Sequence, residues 1–327
     1  MTKVHAALCA LLGAVFISCS APSAPASAGA GEVALTGSEK QDYISARIKE
    51  VFHPSGEKKA FEVPQGWKLE RFTLGAAAVE RMRYKTRRTN RVILQLHGGG
   101  YVLGLSDAHR LLGMRQARLV GAGEVYYADY RLAPQNTYPA ALNDAVATYE
   151  ELLCRGIKAK DIILIGDSAG GNLAVELALY LKEHGLPQPG AMILASPWAS
   201  MEHIAGTSRT FNEAKDQVLG KGTPLFEPVK KAEYIGNLSR KDPRVSPIYA
   251  DLSGLAPTLI QLGGNELFLS EGEELARKFA ADGTEVSLSV YLGMPHDFAL
   301  LLPQMRESVN SLREIADFVD RYMRSGE

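Results

Sequence analysis

The apolar run Ile162-Ile163-Leu164-Ile165 passes directly into Gly166-Asp167-Ser168-Ala169-Gly170, and a stretch of helical composition, Asn172 to Lys182, follows. A strand that turns straight into a helix has room at the turn only for small residues, and glycines on either side of the serine meet that demand. The turn lifts the serine hydroxyl out of the fold and sets it near the positive end of a helix. A hydroxyl so placed has what a nucleophile for acyl transfer needs. The pentapeptide alone is a weak signal, because a glycine-rich βα turn spells the same letters, so the rest of the chain decides.

Three other segments supply that context. His97-Gly98-Gly99-Gly100-Tyr101 follows the apolar segment Val92 to Leu96. Three consecutive glycines cost chain entropy and make sense where backbone N–H groups approach a ligand closely. Acyl transfer passes through an oxyanion, and each preorganised N–H donor to it is worth about 10²–10³ in rate. Gly99 and Gly100 are the expected donors, with the N–H of Ala169 as the third. His296 lies in the loop after Val286 to Tyr291 and is the one histidine of seven late enough for the order serine, acid, histidine. It is the expected general base. Glu266 leaves the strand Thr258 to Leu262 and is the expected acid, holding the imidazole in one tautomer. Glu271, Glu273 and Glu274 read as the charged first turn of the next helix. Asp297 is set aside because adjacent side chains rarely face each other.

Two strands near Glu70–Thr73 and Ala77–Tyr84 form an antiparallel edge, and six more, at 91–96, 124–128, 161–166, 191–195, 257–263 and 285–291, alternate with helices. Such alternation predicts a mainly parallel α/β sheet covered on both faces. Ligands of such sheets bind at the carboxyl ends of strands, where Ser168, Glu266 and His296 all fall. A chain of 327 residues with 46% hydrophobic residues can bury one large core. Net charge is −1, and no basic stripe points to nucleic acid. Metal-ligand spacings and phosphate-binding glycine loops are absent, so no metal and no cofactor are expected.

The set His97-Gly98-Gly99-Gly100, Asp129 to Pro134, Gly166 to Asn172 and Gly293-Met294-Pro295-His296 resembles the hormone-sensitive-lipase-like family of bacterial carboxylesterases. Asp242 to Tyr249 also fits, and the likeness runs from about residue 65 to the C-terminus. Many members carry Asp as the acid, and a branch resembling this chain carries Glu at the position of Glu266; Ser270 stands where members often have Asp. The resemblance implies an α/β-hydrolase fold with an eight-stranded sheet and a helical cap. It implies that Asp129 and Arg131 brace the loops around the glycine strand, and that Asp167 and Asn172 support the turn. His97 would order its loop, while Tyr101 and Leu103 would line the acyl side of the pocket. Residues 29–64 and an insertion at about 199–235 are read as the cap, in which Phe211, Leu219, Leu225 and Phe226 are candidates for contacting substrate. Residues 65–327 form the catalytic domain.

The expected substrate is a small-molecule ester with a short acyl chain. A lactonase, amidase or deacetylase would use the same machinery, and a non-catalytic ligand-binding protein on the same fold is the reading from another class.

The first residues differ in kind. A short basic start, an apolar run from Ala6 to Ile17 and a small-residue stretch from Ser20 to Gly31 read as a secretory leader over residues 1–28. Cleavage after Ala26-Ser27-Ala28 is one outcome. The other, slightly favoured, is a lipoprotein leader ending at Ser18, with Cys19 lipidated and anchoring the chain to a membrane. The protein is thus expected to be exported: periplasmic, membrane-anchored or secreted. Of three cysteines only Cys154 would remain, so no internal disulfide is available. Cys154 is placed on the apolar face of a helix from Pro139 to about Arg155, as a buried thiol. Met305, Val309, Leu312, Ala316, Val319 and Met323 mark one face of a C-terminal helix. That helix or the edge strand near Ser287 could carry a homodimer contact.

Overall fold

A computed structural model describes residues 32–53, 60–204 and 206–323. The leader therefore lies outside the described residues. Helix α1 (Gly37–Phe52) comes first, followed by strands β1 (Trp67–Leu74), β2 (Ala77–Tyr84) and β3 (Val92–Leu96). Helix α2 (Asp107–Val120), β4 (Glu124–Asp129), α3 (Ala140–Cys154), β5 (Ile162–Asp167), α4 (Ala169–Glu183) and β6 (Ala191–Ala195) alternate after them. Two short helices, α5 (Ser208–Phe211) and α6 (Phe226–Lys231), interrupt the pattern. It resumes with β7 (Thr258–Gly263), α7 (Leu269–Ala281), β8 (Val286–Tyr291), α8 (Phe298–Leu301) and α9 (Arg306–Tyr322).

The eight strands form one sheet in the order β1-β2-β4-β3-β5-β6-β7-β8. β1 and β2 pair antiparallel, as do β2 and β4, and the remaining neighbours are parallel. This is an α/β-hydrolase fold, as expected. The central strands are apolar on both faces because helices cover both. Leu94, Leu164 and Met192 pack into the layer containing α3, α4 and α7, while Ile93, Ile163 and Ile193 pack against α2 and α9. Register sets the strand ends level. Leu96 pairs with Gly166, Asp167 with Ala195, and Gly263 with Tyr291. The loops carrying the glycine run, Ser168, Glu266 and His296 therefore leave the sheet side by side.

The β5–α4 turn is the tightest point. A Cβ on Gly166 would lie 2.1 Å from the Gly170 carbonyl oxygen, and one on Gly170 would lie 2.1 Å from that of Leu96. Neither position admits a side chain, so the helix approaches β3 as closely as backbone allows. Ser168 itself adopts φ 52°, a conformation that costs a non-glycine residue about 1–3 kcal/mol.

Residues 201–204 and 206–235 and α1 lie on this end of the sheet. Val218, Leu219, Leu225 and Val229 are buried in the same cluster as Ile44 and Ile48 of α1. A Cβ on Gly100 would come within 3.8 Å of Leu225 and 3.9 Å of Pro228, so this segment lies on the glycine loop. Lys40 of α1 donates to the Leu292 carbonyl at 3.0 Å and pairs with Glu307 at 2.6 Å, which ties α1 to the loop leading to His296.

Two expectations need correction. Cys154 is exposed. The buried face of α3 includes Ala145, Thr148, Tyr149 and Leu152, and Cys154 is two residues, or about 200°, beyond Leu152. On α9 the buried face is centred on Ser308, Ser311, Leu312, Ile315, Phe318 and Val319, while Val309 and Ala316 are only half-buried. Small serines let the helix settle on the sheet, where Gln261 donates to the Ser311 carbonyl at 3.0 Å.

Replacing Gly166 with alanine forces backbone to move, and overpacking of this kind costs about 1–3 kcal/mol or more. We expect Gly166→Ala to lower the urea midpoint by at least that equivalent or to abolish soluble expression; a midpoint unchanged from the parent would contradict the packing described.

Candidate active site

Ser168 sits between β5 and α4 with its backbone fully engaged. Its N–H donates to Ala195 at 2.9 Å, and its carbonyl accepts from Asn172 at 3.1 Å and Trp198 at 3.0 Å. The hydroxyl is 2.8 Å from His296 Nε2. His296 is itself buried and packs edge-on to Phe268, with ring centroids 5.1 Å apart. Its Nδ1 faces Glu266 Oε2 at 3.5 Å. That is long for a hydrogen bond, and neither Nδ1 nor Glu266 Oε1 has a partner among the described residues. Catalytic contacts of this kind often tighten only when substrate binds. The three residues expected from the sequence are thus brought into one line.

Burial raises Glu266 to about 7, with His296 and Ser196 working in the opposite direction. Burial opposes the imidazolium of His296, but Asp297 and then Glu266 outweigh it and hold the group well above its ordinary 6.5.

The glycine loop is held open from below. Asp167 Oδ2 accepts from the Gly98 N–H at 2.9 Å and contacts His109 Nε2 at 3.2 Å, while Oδ1 accepts from Gln95 at 3.3 Å. Burial disfavours the Asp167 carboxylate, but His109 and then His97 and the Gly98 N–H keep it below its ordinary value. Among the described residues the N–H groups of Gly99, Gly100 and Ala169 find no main-chain acceptor. Gly99 and Gly100 have φ values of 111° and 62°, which free the loop to turn its amides away from the strand. His97 stacks on Tyr130 at 4.1 Å and bonds the Gly98 carbonyl at 2.8 Å. Asp129 receives the Leu105 N–H at 3.2 Å, and Arg131 grips Asp144 of α3 at 2.8 Å. Asn172 joins Tyr101, Trp198 and Val245 at 2.7, 2.8 and 3.0 Å.

The expected pocket residues fare differently. Tyr101 has no exposed surface; its ring stacks on Tyr234 at 3.6 Å and its hydroxyl is committed to Asn172. It is a packing residue beneath the loop, not an open lining. Leu103 is 48% exposed, and its Cβ lies 2.8 Å from where a Gly99 side chain would begin. Phe211 is 66% exposed at the end of α5, while its neighbours Ser208 and Asn212 face the acid loop. Leu219 and Leu225 are buried in the core cluster.

Several residues at the site carry no sequence signature. Ser196 donates to Glu266 Oε2 at 2.5 Å and accepts the Asp297 N–H at 3.2 Å. Asn212 donates to the Glu266 carbonyl at 3.0 Å, and Asp216 receives the Leu267 N–H at 2.7 Å. Arg209 and Glu271 pair at 2.7 Å, and Glu271 also accepts the Ala199 N–H at 2.9 Å. Glu271 stands in the first turn of α7, as expected, and is buried there as a strut. Asp297, set aside in the sequence, does face its neighbour: its Oδ2 is 3.1 Å from His296 Nε2. The left-handed backbone at Asp297 (φ 51°) folds the carboxylate back over the ring.

A family model described as the alpha/beta hydrolase fold matches residues 93–300. An esterase of Acinetobacter venetianus is 35% identical over 69% of this chain and 74% of its own length. An acetyl-hydrolase of Streptomyces hygroscopicus is 33% identical over 76% of this chain and 81% of its own. Among solved structures, an esterase from the bacterial hormone-sensitive lipase family superposes with a TM-score of 0.78 at 32% identity, over 88% of this chain and 100% of that one. The level strand ends, the serine turn and these relatives agree: the chain belongs to the hormone-sensitive-lipase-like esterases of the α/β-hydrolase fold and is a carboxylic ester hydrolase.

Proposed function

We propose that the chain hydrolyses short-chain carboxylic esters through an acyl-enzyme on Ser168, with His296 as general base and acid and Glu266 as its orienting carboxylate. The observation that carries this reading is the 2.8 Å contact between Ser168 Oγ and His296 Nε2 at the head of a strained strand-to-helix turn. As Ser168 Oγ attacks the ester carbonyl, its proton passes to Nε2 and the carbonyl electrons move onto oxygen. The free N–H groups of Gly99, Gly100 and Ala169 are the donors for that oxyanion. Glu266 steadies the imidazolium from the Nδ1 side. The proton on Nε2 then goes to the departing alcohol oxygen as its bond to carbon breaks. Water repeats the cycle on the acyl-enzyme and releases the acid.

Short acyl groups fit the surroundings. Ser168 is only 2% exposed, Leu225 and Pro228 lie over Gly100, and Leu103 crowds Gly99. Residues 201–235 and α1 act in this reading as a cap that excludes water and limits the acyl chain. The name of the Streptomyces relative, an acetyl-hydrolase, is consistent with it.

A chain-length series of p-nitrophenyl esters tests the proposal. Turnover should peak between acetate and hexanoate and fall roughly 10⁴-fold or more in Ser168→Ala. Faster turnover of a long-chain ester than of butyrate would overturn the acyl preference. Residual activity in folded Ser168→Ala within tenfold of the parent would overturn the nucleophile assignment.

The pH profile follows from the carboxylates around His296. A general base works unprotonated, so kcat/KM falls as pH drops through the raised value of His296. The acid limb for a p-nitrophenyl ester should lie above the ordinary imidazole value of 6.5; a limb centred below that value would contradict this account.

We also propose that the chain is exported under the direction of its first 28 residues. The basic start, apolar run and small-residue stretch support this. Intact-mass measurement of the protein from a bacterial host should show a lipidated N-terminal Cys19 or a chain beginning at Gly29. An unprocessed Met1 species alone would contradict export.

A further inference from the structure

Asp297 is out of place for a surface-loop acid. It is 8% exposed, its backbone takes a positive φ, and its Oδ2 lies 3.1 Å from the nitrogen that faces the nucleophile. Three backbone contacts fix it there. Its N–H rests on Ser196 Oγ at 3.2 Å, and its carbonyl accepts from Leu300 and Leu301 at 3.0 and 3.1 Å as α8 begins. Oδ1 is buried with no hydrogen-bond partner among the described residues.

Building on the esterase reading above, we propose that Asp297 is a second carboxylate for the catalytic imidazole, holding the Nε2 proton in the interval between its removal from Ser168 and its delivery to the leaving alcohol. The balance of the step is unchanged. The Oγ–H bond of Ser168 breaks, an Nε2–H bond forms, and the oxygen bonds to the acyl carbon. In the cationic state His296 Nε2 has Ser168 Oγ at 2.8 Å and Asp297 Oδ2 at 3.1 Å. Asp297 accepts a hydrogen bond and takes no proton. The proton then passes to the alkoxide as the acyl–oxygen bond breaks. Glu266 on Nδ1 and Asp297 on Nε2 thus flank the imidazolium from both sides.

The electrostatic consequence is a more basic histidine. His296 faces Asp297 on its own loop, Glu266 from the β7 loop and Asp216 from the segment before α6. Asp297 in turn faces Asp167 at the end of β5 and His109 on α2. Burial, with Asp167 adding to it, pushes Asp297 up to about 6 against the pull of His296.

The test is Asp297→Asn. Asparagine keeps the size and tolerates the positive φ, so the loop is expected to hold. Two readouts are compared with the parent: the imidazole titration of His296 by NMR, assigned by its loss in His296→Gln, and the acid limb of kcat/KM. Removing the carboxylate should lower both midpoints by about one pH unit or more, a tenfold gain in relative rate on the acid side. Should Asp297→Asn not fold, Asp297→Gly, also at home at this φ, carries the same expectation. Midpoints within about 0.2 unit of the parent, in a variant of unchanged thermal stability, overturn the proposal. The NMR titration needs no turnover, so failure of the esterase reading, seen as an inactive parent enzyme, is told apart from failure of this one.

Discussion

The close approach of α4 to β3 governs everything at this end of the molecule. With Gly170 seated against the Leu96 carbonyl and Gly166 against Gly170, the chain has no choice but to turn sharply at Ser168. The turn costs backbone strain at the serine. That strain is opposed by three main-chain hydrogen bonds, from Ser168 to Ala195 and to it from Asn172 and Trp198. The same approach brings Asp167 under the glycine loop, where it takes the Gly98 N–H, while the next two amides have no main-chain acceptor among the described residues. In the proposed mechanism, nucleophile and oxyanion donors are therefore positioned by one packing contact.

The acid side is built differently. Glu266 stands in a loop that has little internal structure, and its support comes from elsewhere in the chain. Ser196 holds its carboxylate, Asn212 its carbonyl, and Asp216 the amide of the next residue. Ser208 and Ser270 exchange hydrogen bonds at 2.9 and 3.0 Å a few residues on, beside the Arg209–Glu271 pair. Residues 208–216 thus hold the loop that carries Glu266. In the proposed mechanism, substitutions in this segment act on the imidazole through Glu266.

The parts of this arrangement legible in the sequence are those set by local rules. Apolar runs bounded by turn residues mark the central strands, such as β3, β5, β6 and β7, because a sheet covered on both faces leaves little polar alternation there to blur them. Ser168, Glu266 and His296 are legible because each follows a strand end, where the topology gathers loops. What escaped depends on side-chain direction across long separations. Ser196 and Asp216 are ordinary polar residues until β6 and the segment after α5 are seen against the acid loop. Adjacent side chains ordinarily point apart, which hides Asp297 in the sequence, and the left-handed backbone reverses it. The family resemblance puts Tyr101 at the pocket, but its ring packs between Tyr234, on which it stacks, and Tyr130. Cys154 shows that composition names a helix more readily than it fixes the last residue's azimuth.

The central claim is that one serine, at the β5–α4 turn and activated by His296, carries the chemistry. Covalent labelling with an aryl organophosphate ester, followed by peptide mass mapping, tests it most directly. The account predicts a single adduct on Ser168, formed with loss of esterase activity and suppressed in His296→Ala. An adduct on another residue, or inactivation with Ser168 unmodified, would contradict it.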